Sequence, residues 1–460
     1  MRRLPISQLA HYAGGELHGE DVAIDAVSND TRTLAPGSLY VALRGERFDG
    51  HEFAQAAAQA GASALLVQRL LPVELPQIVV QDSEYALARL AAGLQRGRGT
   101  RVVALTGSNG KTSVKALVCA ILERAGQTYA NPGNRNNEIG LPLSVIDAPD
   151  EAEFAVYEMG AGKPGDIAYL TDIAAPDVAL VNNIAPAHLE RMGSLLGVAR
   201  TKGAIYSALR QGGTAVINAD DAFGPWFETL AAGRKLLRFG LDSSADIHAR
   251  ILQATPEFSR FELITPAGNA EVLLPLPGRH SVRNALAATG LALGAGVSLP
   301  IIVQGLQAAA PVKGRQIATP LRNGAVLVDD SYNANPGSLA AAIDSLSVAG
   351  KQGWLVLGDM RELGPEGPAL HAQAGVQARA AGLGRLYALG ELAAHAAHAF
   401  GPGGQVFESH AALAQALIQA LQPGVRCLVK GSRGSAMDRI VTAVLSSDAG
   451  GGGENTSHAA

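Results

Sequence analysis

Residues 104–113 read ALTGSNGKTS, a glycine-rich turn that ends in Gly-Lys-Thr. Those residue types suit the binding and transfer of phosphate. Gly107 and Gly110 let the backbone approach an anion closely, and a helix starting after the turn would aim free N–H groups at it. Lys111 would reach the terminal phosphates, and the Thr112 hydroxyl is an oxygen that a phosphate-bound Mg²⁺ can use. Ser108, Asn109 and Ser113 fill out the loop. The common phosphate loop, Gly-x-x-x-x-Gly-Lys-Ser/Thr, would need a glycine at position 105, where this chain has Leu105. The plainer alternative is a strand-to-helix turn with an exposed lysine. Further on, Glu158 ends the apolar run FAVY. A carboxylate at a strand end can hold Mg²⁺, although in isolation it also reads as a solvated or capping glutamate. Taken singly, His188 is a surface or core histidine, Lys202 a helix charge and the Asp329–Asp330 pair a loop.

Positioning such groups is the work of a parallel α/β sheet. Apolar strands alternate with helical stretches: RVVALT then TSVKALVCAILERAG, FAVYEM, PDVALVNNI then GVARTKGAIYSALRQGG, and TAVINADD. That alternation predicts a parallel sheet covered on both faces, with ligands outside the carboxyl ends of the strands. We read three blocks. Residues 1–97 hold short strands and an Ala-rich helix. Residues 98–312 hold the phosphate loop, with an antiparallel insertion between Asp242 and Pro277, followed by a helix in SVRNALAATGLALGAGV. Residues 313–448 form a second, smaller α/β unit after a hinge in AAPVKGRQ, and 449–460 a mobile tail.

Composition narrows the class. The chain has 460 residues, is 47% hydrophobic and 17% charged, and carries a net charge of −4. That suits globular cores and offers no general basic field for nucleic acid or an anionic membrane. No charge-free apolar run is long enough for a membrane span, and the start, MRRLPISQLAHYAGG, lacks the apolar core of a signal peptide. Two cysteines, Cys119 and Cys427, cannot build a disulfide framework. Both fall in apolar segments and read as core residues.

TGSNGKTS resembles the short phosphate loop of the Mur ligases, which lacks the earlier glycine; Leu105 is then no defect. Ser108 stands where that family usually has threonine. The folylpolyglutamate synthases carry a similar loop, so the loop alone does not choose the substrate. The resemblance continues in order along nearly the whole chain. NNIAPAHLERMGSLLGVARTKGAI is similar to the family's Asn-x-x-x-x-His run followed by a lysine-bearing helix. It implies that His188 helps hold a second Mg²⁺, besides the one that Thr112 and Glu158 suit, and that CO₂ carbamylates Lys202, whose carbamate would help place the metal. PLPGRHSVRNALAA resembles the segment that contacts the adenine side of ATP, with His280 and Asn284 kept and Ser281 in place of asparagine. Ser281 also reads as a helix cap. The hinge and third block imply that Arg315 reaches phosphate and Asp330 the ribose.

The first block is similar to the family's uridine-nucleotide domain, through Asp30, Thr31, Arg32 and the run Gly45–His51, which includes Arg47. Asn134, Asn136 and Asn137, in NPGNRNNEIG, are amides suited to sugar and carbonyl groups. Asn333, Asn335, Lys430 and Arg433 fall on the amine-substrate side, although Asn335-Pro336 also reads as a turn before a helix. The resemblance thus implies a three-domain α/β enzyme: a small uridine-nucleotide domain, a central P-loop parallel-sheet ATPase domain and a C-terminal Rossmann-like domain. It would be a monomer in the bacterial cytoplasm, using ATP and Mg²⁺ to form an amide bond. GERFDGH, DDSYNANPGS and LGDMRELG point to UDP-N-acetylmuramoyl-tripeptide and D-alanyl-D-alanine as substrates. The Asp-Asn-Pro-Arg motif of diaminopimelate-adding members is absent. Alternatives are another amide ligase of the group (diaminopimelate- or lysine-adding), a non-catalytic nucleotide-binding regulator, or an ordinary P-loop ATPase or kinase.

Overall fold

The computed structural model describes residues 1–45, 47–186 and 189–450. The chain forms two compact units. One comprises Met1–Asn183, Ala199–Pro277 and Ser281–Ala309; the other comprises Ile184–Val198, Gly278–His280 and the chain from Ala310 onward.

The first unit contains a six-stranded sheet in the order Lys235–Phe239, Thr214–Asn218, Val178–Val181, Arg101–Thr106, Phe154–Glu158 and Thr128–Ala130. Every pair in it is parallel. Val102–Leu105 are fully buried, as expected of a central strand with both faces covered. The chain leaves Arg101–Thr106, builds the two strands on one side of it, and then adds Val178–Val181 on the other. The strand end at Thr106 therefore lies where the sheet order reverses, the usual place for a ligand in such a sheet. Register does the rest. Glu158 pairs with Leu105 and Val181 with Thr106, so the segments after these strands emerge side by side.

Residues 1–97 build a separate five-stranded sheet, ordered Glu16–His18, Gln77–Val79, Ala64–Val67, Ser38–Val41 and Ala26–Ser28. The first pair is antiparallel and the rest are parallel. Within this unit the helix Ser83–Arg96 packs on the helices Gly140–Asp147 and Asp166–Ala174. Gln95 accepts from the Tyr157 hydroxyl at 3.2 Å, and Arg98 pairs with Asp150 at 2.8 Å. The expected insertion is antiparallel: His248–Ala254, Ser259–Thr265 and Gly268–Leu274. Its Phe261, Leu263, Val272 and Leu274 join the same core as Val103, Leu105 and Val118.

The second unit has a six-stranded sheet ordered Ile317–Pro320, Val326–Asp330, Arg426–Lys430, Gly353–Gly358, Arg385–Leu389 and Gly404–Phe407. Only the first pair is antiparallel. Asp330 lies directly opposite Lys430. The last helix runs Asp438–Gly450 and takes in the first two residues of the expected tail; 451–460 lie outside the described residues. Burial pushes both cysteine thiols up to about 12, as suits core residues. Among the described residues no helix is long and apolar enough to cross a membrane.

Candidate active site

The loop after Arg101–Thr106 turns into the helix Lys111–Leu122 at Gly110, whose φ of 78° is left-handed. A side chain there would be strained and would also collide: a Cβ would lie 2.6 Å from Asn182 Nδ2 and 2.7 Å from Asn284 Oδ1. Lys111 Nζ folds back to donate to the Gly107 carbonyl at 2.8 Å. The Ser108 N–H donates to the Asn183 carbonyl and the Asn109 N–H to Asn183 Oδ1, both at 2.9 Å. Asn182 Nδ2 donates to the Asn109 carbonyl at 2.9 Å and to Asn284 Oδ1 at 3.2 Å. Asn284, expected on the adenine side, thus also braces the loop. The helix carrying it starts at Arg279, so Ser281 does not cap it. Instead its hydroxyl donates back to the Pro277 carbonyl at 2.7 Å.

Beside the loop, Glu158 is 4% exposed. Its N–H donates to Asn131 Oδ1 at 2.9 Å, and Asn131 Nδ2 returns a bond to its carbonyl at 3.0 Å. Asn136 Nδ2 donates to Glu158 Oε1 at 3.0 Å. Oε2 accepts no hydrogen bond among the described residues; Lys115 Nζ lies 3.6 Å from it. A buried carboxylate oxygen left without a donor is costly unless a cation completes it. The donor set is oxygen, as Mg²⁺ prefers, and Thr112 adds a hydroxyl on the adjoining helix. Glu158 therefore fits a hard divalent cation. His188 lies outside the described residues.

Lys202 is 1% exposed. Burial, helped by the Lys111 ammonium and opposed by Asp166, pushes its pKa well below the usual lysine value. The neutral amine is thereby favoured, and that is the form that attacks CO₂. The same unit carries the residues expected to meet uridine. Asp30 grips Arg32 through Oδ1 at 2.9 Å and Oδ2 at 2.6 Å, while Arg47 is exposed and Thr31 half-buried. Asn134 and Asn137 are exposed; Asn137 Oδ1 accepts from the Gly140 N–H at 2.9 Å.

In the second unit Lys430 Nζ donates to Asp330 Oδ2 at 2.6 Å and to the Asn333 carbonyl at 3.0 Å. The Arg315 guanidinium lies 4.4 Å from the Tyr332 ring centre and that of Arg433 lies 5.9 Å from it. Asn335 forms a full capping box with Ser338, with Pro336 at the first helical position. His280 folds its ring against Gly278. The sequence marks Asn182 and Asn183 only as polar residues at a strand end, and gives no role to Lys115 or Asn131. Lys115 sits four residues after Lys111, which places it on the same helix face; that spacing was the one signal available.

The chain matches three family descriptions in order: "Mur ligase family, catalytic domain" over 23–94, "Mur ligase middle domain" over 105–292 and "Mur ligase, glutamate ligase domain" over 315–433. It is 44% identical over 446 residues to the UDP-N-acetylmuramoyl-tripeptide–D-alanyl-D-alanine ligase of Escherichia coli K12, covering 96% of this chain and 99% of that one. It is 40% identical to the enzyme of the same name from Haemophilus influenzae, covering 82% and 83%. Among solved structures it superposes on MurF from Acinetobacter baumannii with a TM-score of 0.92 at 32% identity, covering 97% and 99%. MurF from Thermotoga maritima in complex with ADP gives 0.82 at 27%, covering 91% and 96%.

Proposed function

The chain belongs to the Mur ligase family, and on that premise we propose that it adds D-alanyl-D-alanine to UDP-N-acetylmuramoyl-tripeptide at the expense of ATP. The observation that carries this reading is full-length identity to enzymes of that name, joined to a short phosphate loop with a cation-ready carboxylate beside it. The product would be the pentapeptide precursor of peptidoglycan, made in the bacterial cytoplasm.

The chemistry explains the need for ATP. A carboxylate is a poor acyl donor because oxide would have to leave. The tripeptide carboxylate oxygen attacks the γ-phosphorus, the bond to ADP breaks, and an acyl phosphate forms. The dipeptide amine then attacks the acyl carbon, the carbon–oxygen pair leaves on phosphate, and the amine sheds a proton to a base. Gly107–Ser113 would cradle the phosphates, with Lys111 swinging from the Gly107 carbonyl to the γ-phosphoryl oxygens. Glu158 and Thr112 would hold Mg²⁺ and His188 would help hold a second one, the ions offsetting phosphate charge when bound. Carbamylated Lys202 would supply a further carboxylate. His280, Asn284, Arg315 and Asp330 serve the adenosine side. Asp30, Thr31, Arg32 and Arg47 serve uridine diphosphate, and Asn134, Asn136 and Asn137 the muramyl peptide. Asn333, Asn335, Lys430 and Arg433 are assigned to the dipeptide; of these, Arg433 has a guanidinium suited to a carboxylate.

The test is phosphate release from ATP, Mg²⁺ and UDP-muramyl tripeptide, with D-alanyl-D-alanine, diaminopimelate or lysine as the amine. Release with D-alanyl-D-alanine is expected. Release only with diaminopimelate or lysine would overturn the substrate assignment.

A further inference from the structure

Lys115 is buried at the centre of three segments. Its ammonium donates to the Asn131 carbonyl at 3.0 Å and the Gly133 carbonyl at 3.3 Å, and it lies 3.6 Å from Glu158 Oε2. The phosphate-loop helix, the turn that leads into the asparagine run, and the carboxylate are thus tied through one cation. The distance to Glu158 is too long for a hydrogen bond and short enough for strong charge interaction in a buried setting. One buried lysine, Lys115, therefore faces the strand-end carboxylate. A dication approaching Glu158 alone meets repulsion from Lys115. A dication arriving with polyphosphate brings the negative charge that offsets it.

We propose that Lys115 is a positioning residue that makes cation binding at Glu158 conditional on the nucleotide. It holds the carboxylate in place beside the loop and suppresses its affinity for free divalent metal, so that metal and ATP enter together. This rests on the reading of Glu158 as a cation-holding carboxylate. By linkage, the factor by which nucleotide tightens metal is the factor by which metal tightens nucleotide, so Lys115 raises the coupling between the two.

The test is Mn²⁺ binding to the full chain, read from the electron paramagnetic resonance signal of free Mn²⁺, with and without a methylene-bridged ATP analogue. Without nucleotide, Lys115→Gln and Lys115→Met should bind Mn²⁺ about fivefold tighter or more. The gain on adding the analogue should shrink by a similar factor, and Lys115→Arg should behave as the wild type. Unchanged or weaker Mn²⁺ binding in both charge-removing variants overturns the proposal. So does loss of folding in both, judged by circular dichroism, since Lys115 would then be purely structural. Glu158→Gln should lose Mn²⁺ binding; if it retains wild-type affinity, the assignment of Glu158 fails, an outcome separate from that of the Lys115 variants.

Discussion

Lys430 in the second unit and Lys115 in the first each face a carboxylate at the end of a parallel strand, yet only one pair is closed. Lys430 reaches Asp330 at 2.6 Å, directly across the register. Lys115 stands 3.6 Å from Glu158 and leaves Oε2 without a donor. The first arrangement is a finished charge-assisted hydrogen bond, roughly twice as strong as a neutral one. The second leaves room for another cation. Burial and residue type are alike in the two pairs, so burial of a lysine–carboxylate pair does not by itself mark a ligand site; an unfinished oxygen does. By the same argument, Lys430 acts on a dipeptide only by leaving Asp330, or else acts by fixing Asp330 in place.

The largest expected effect tests the closed pair. Lys430→Met strands the Asp330 carboxylate in the core and should cost about 3–5 kcal/mol of stability, read from urea unfolding. A loss under about 1 kcal/mol would mean that the pair is open in solution and would break the comparison. Next comes the open pair. Glu158→Gln keeps the acceptor for Asn136 and leaves Lys115 its two carbonyls, so stability should change by no more than about 1–2 kcal/mol. Turnover should instead fall by about 10²–10³-fold or more. A stability loss equal to that of Lys430→Met would make both pairs structural.

Lys202 extends the comparison to a lysine whose burial favours the neutral amine. Lys202→Ala should lower turnover by about 10–100-fold, the usual size for a group that supports a metal site. Formate or acetate should restore part of it if a carbamate stands there. A loss that no small carboxylate relieves would count against the carbamate.

Much of this was legible before the structure. Apolar runs ending in Thr106, Glu158 and Asp330 marked strand ends, and a parallel sheet puts ligands there. The antiparallel insertion showed in its β-formers. The bracing was not legible. Lys115, in TSVKALVCAIL, reads as an ordinary helix charge, and only tertiary folding brings it to Asn131 and Glu158, 16 and 43 residues away. Asn182 and Asn183 were visible as strand-end polar residues, but their grip on the loop depends on the register of two strands. Ser281 misled for a local reason. A serine before a helical pattern is a good cap, but here Gly278, with φ of 87°, turns the chain early, and the helix begins two residues ahead of Ser281.

The smallest effect tests a third pair, one that is finished but exposed. Arg32 side-chain hydrogen bonds, then its backbone N–H, hold the Asp30 carboxyl down at about 2 from an ordinary 3.8. A depressed carboxylate stabilises the fold above its unfolded value, and that contribution is lost as pH falls through the folded one, here between about pH 4 and about pH 2. Arg32 faces solvent and Asp30 is partly exposed, so screening leaves little stability in the pair, and Arg32→Ala should leave unfolding at pH 7 unchanged. The Asp30 carboxyl midpoint, followed by NMR, should return toward 3.8. A pair this cheap to open can give its guanidinium to a pyrophosphate, which offers the same paired oxygens with more charge. Arg32→Ala should therefore raise KM for the uridine nucleotide by about tenfold with kcat kept, the loss of one charge-assisted bond. An unchanged KM would leave Arg32 as a partner of Asp30 alone, and exposure would then not separate ligand-ready pairs from structural ones.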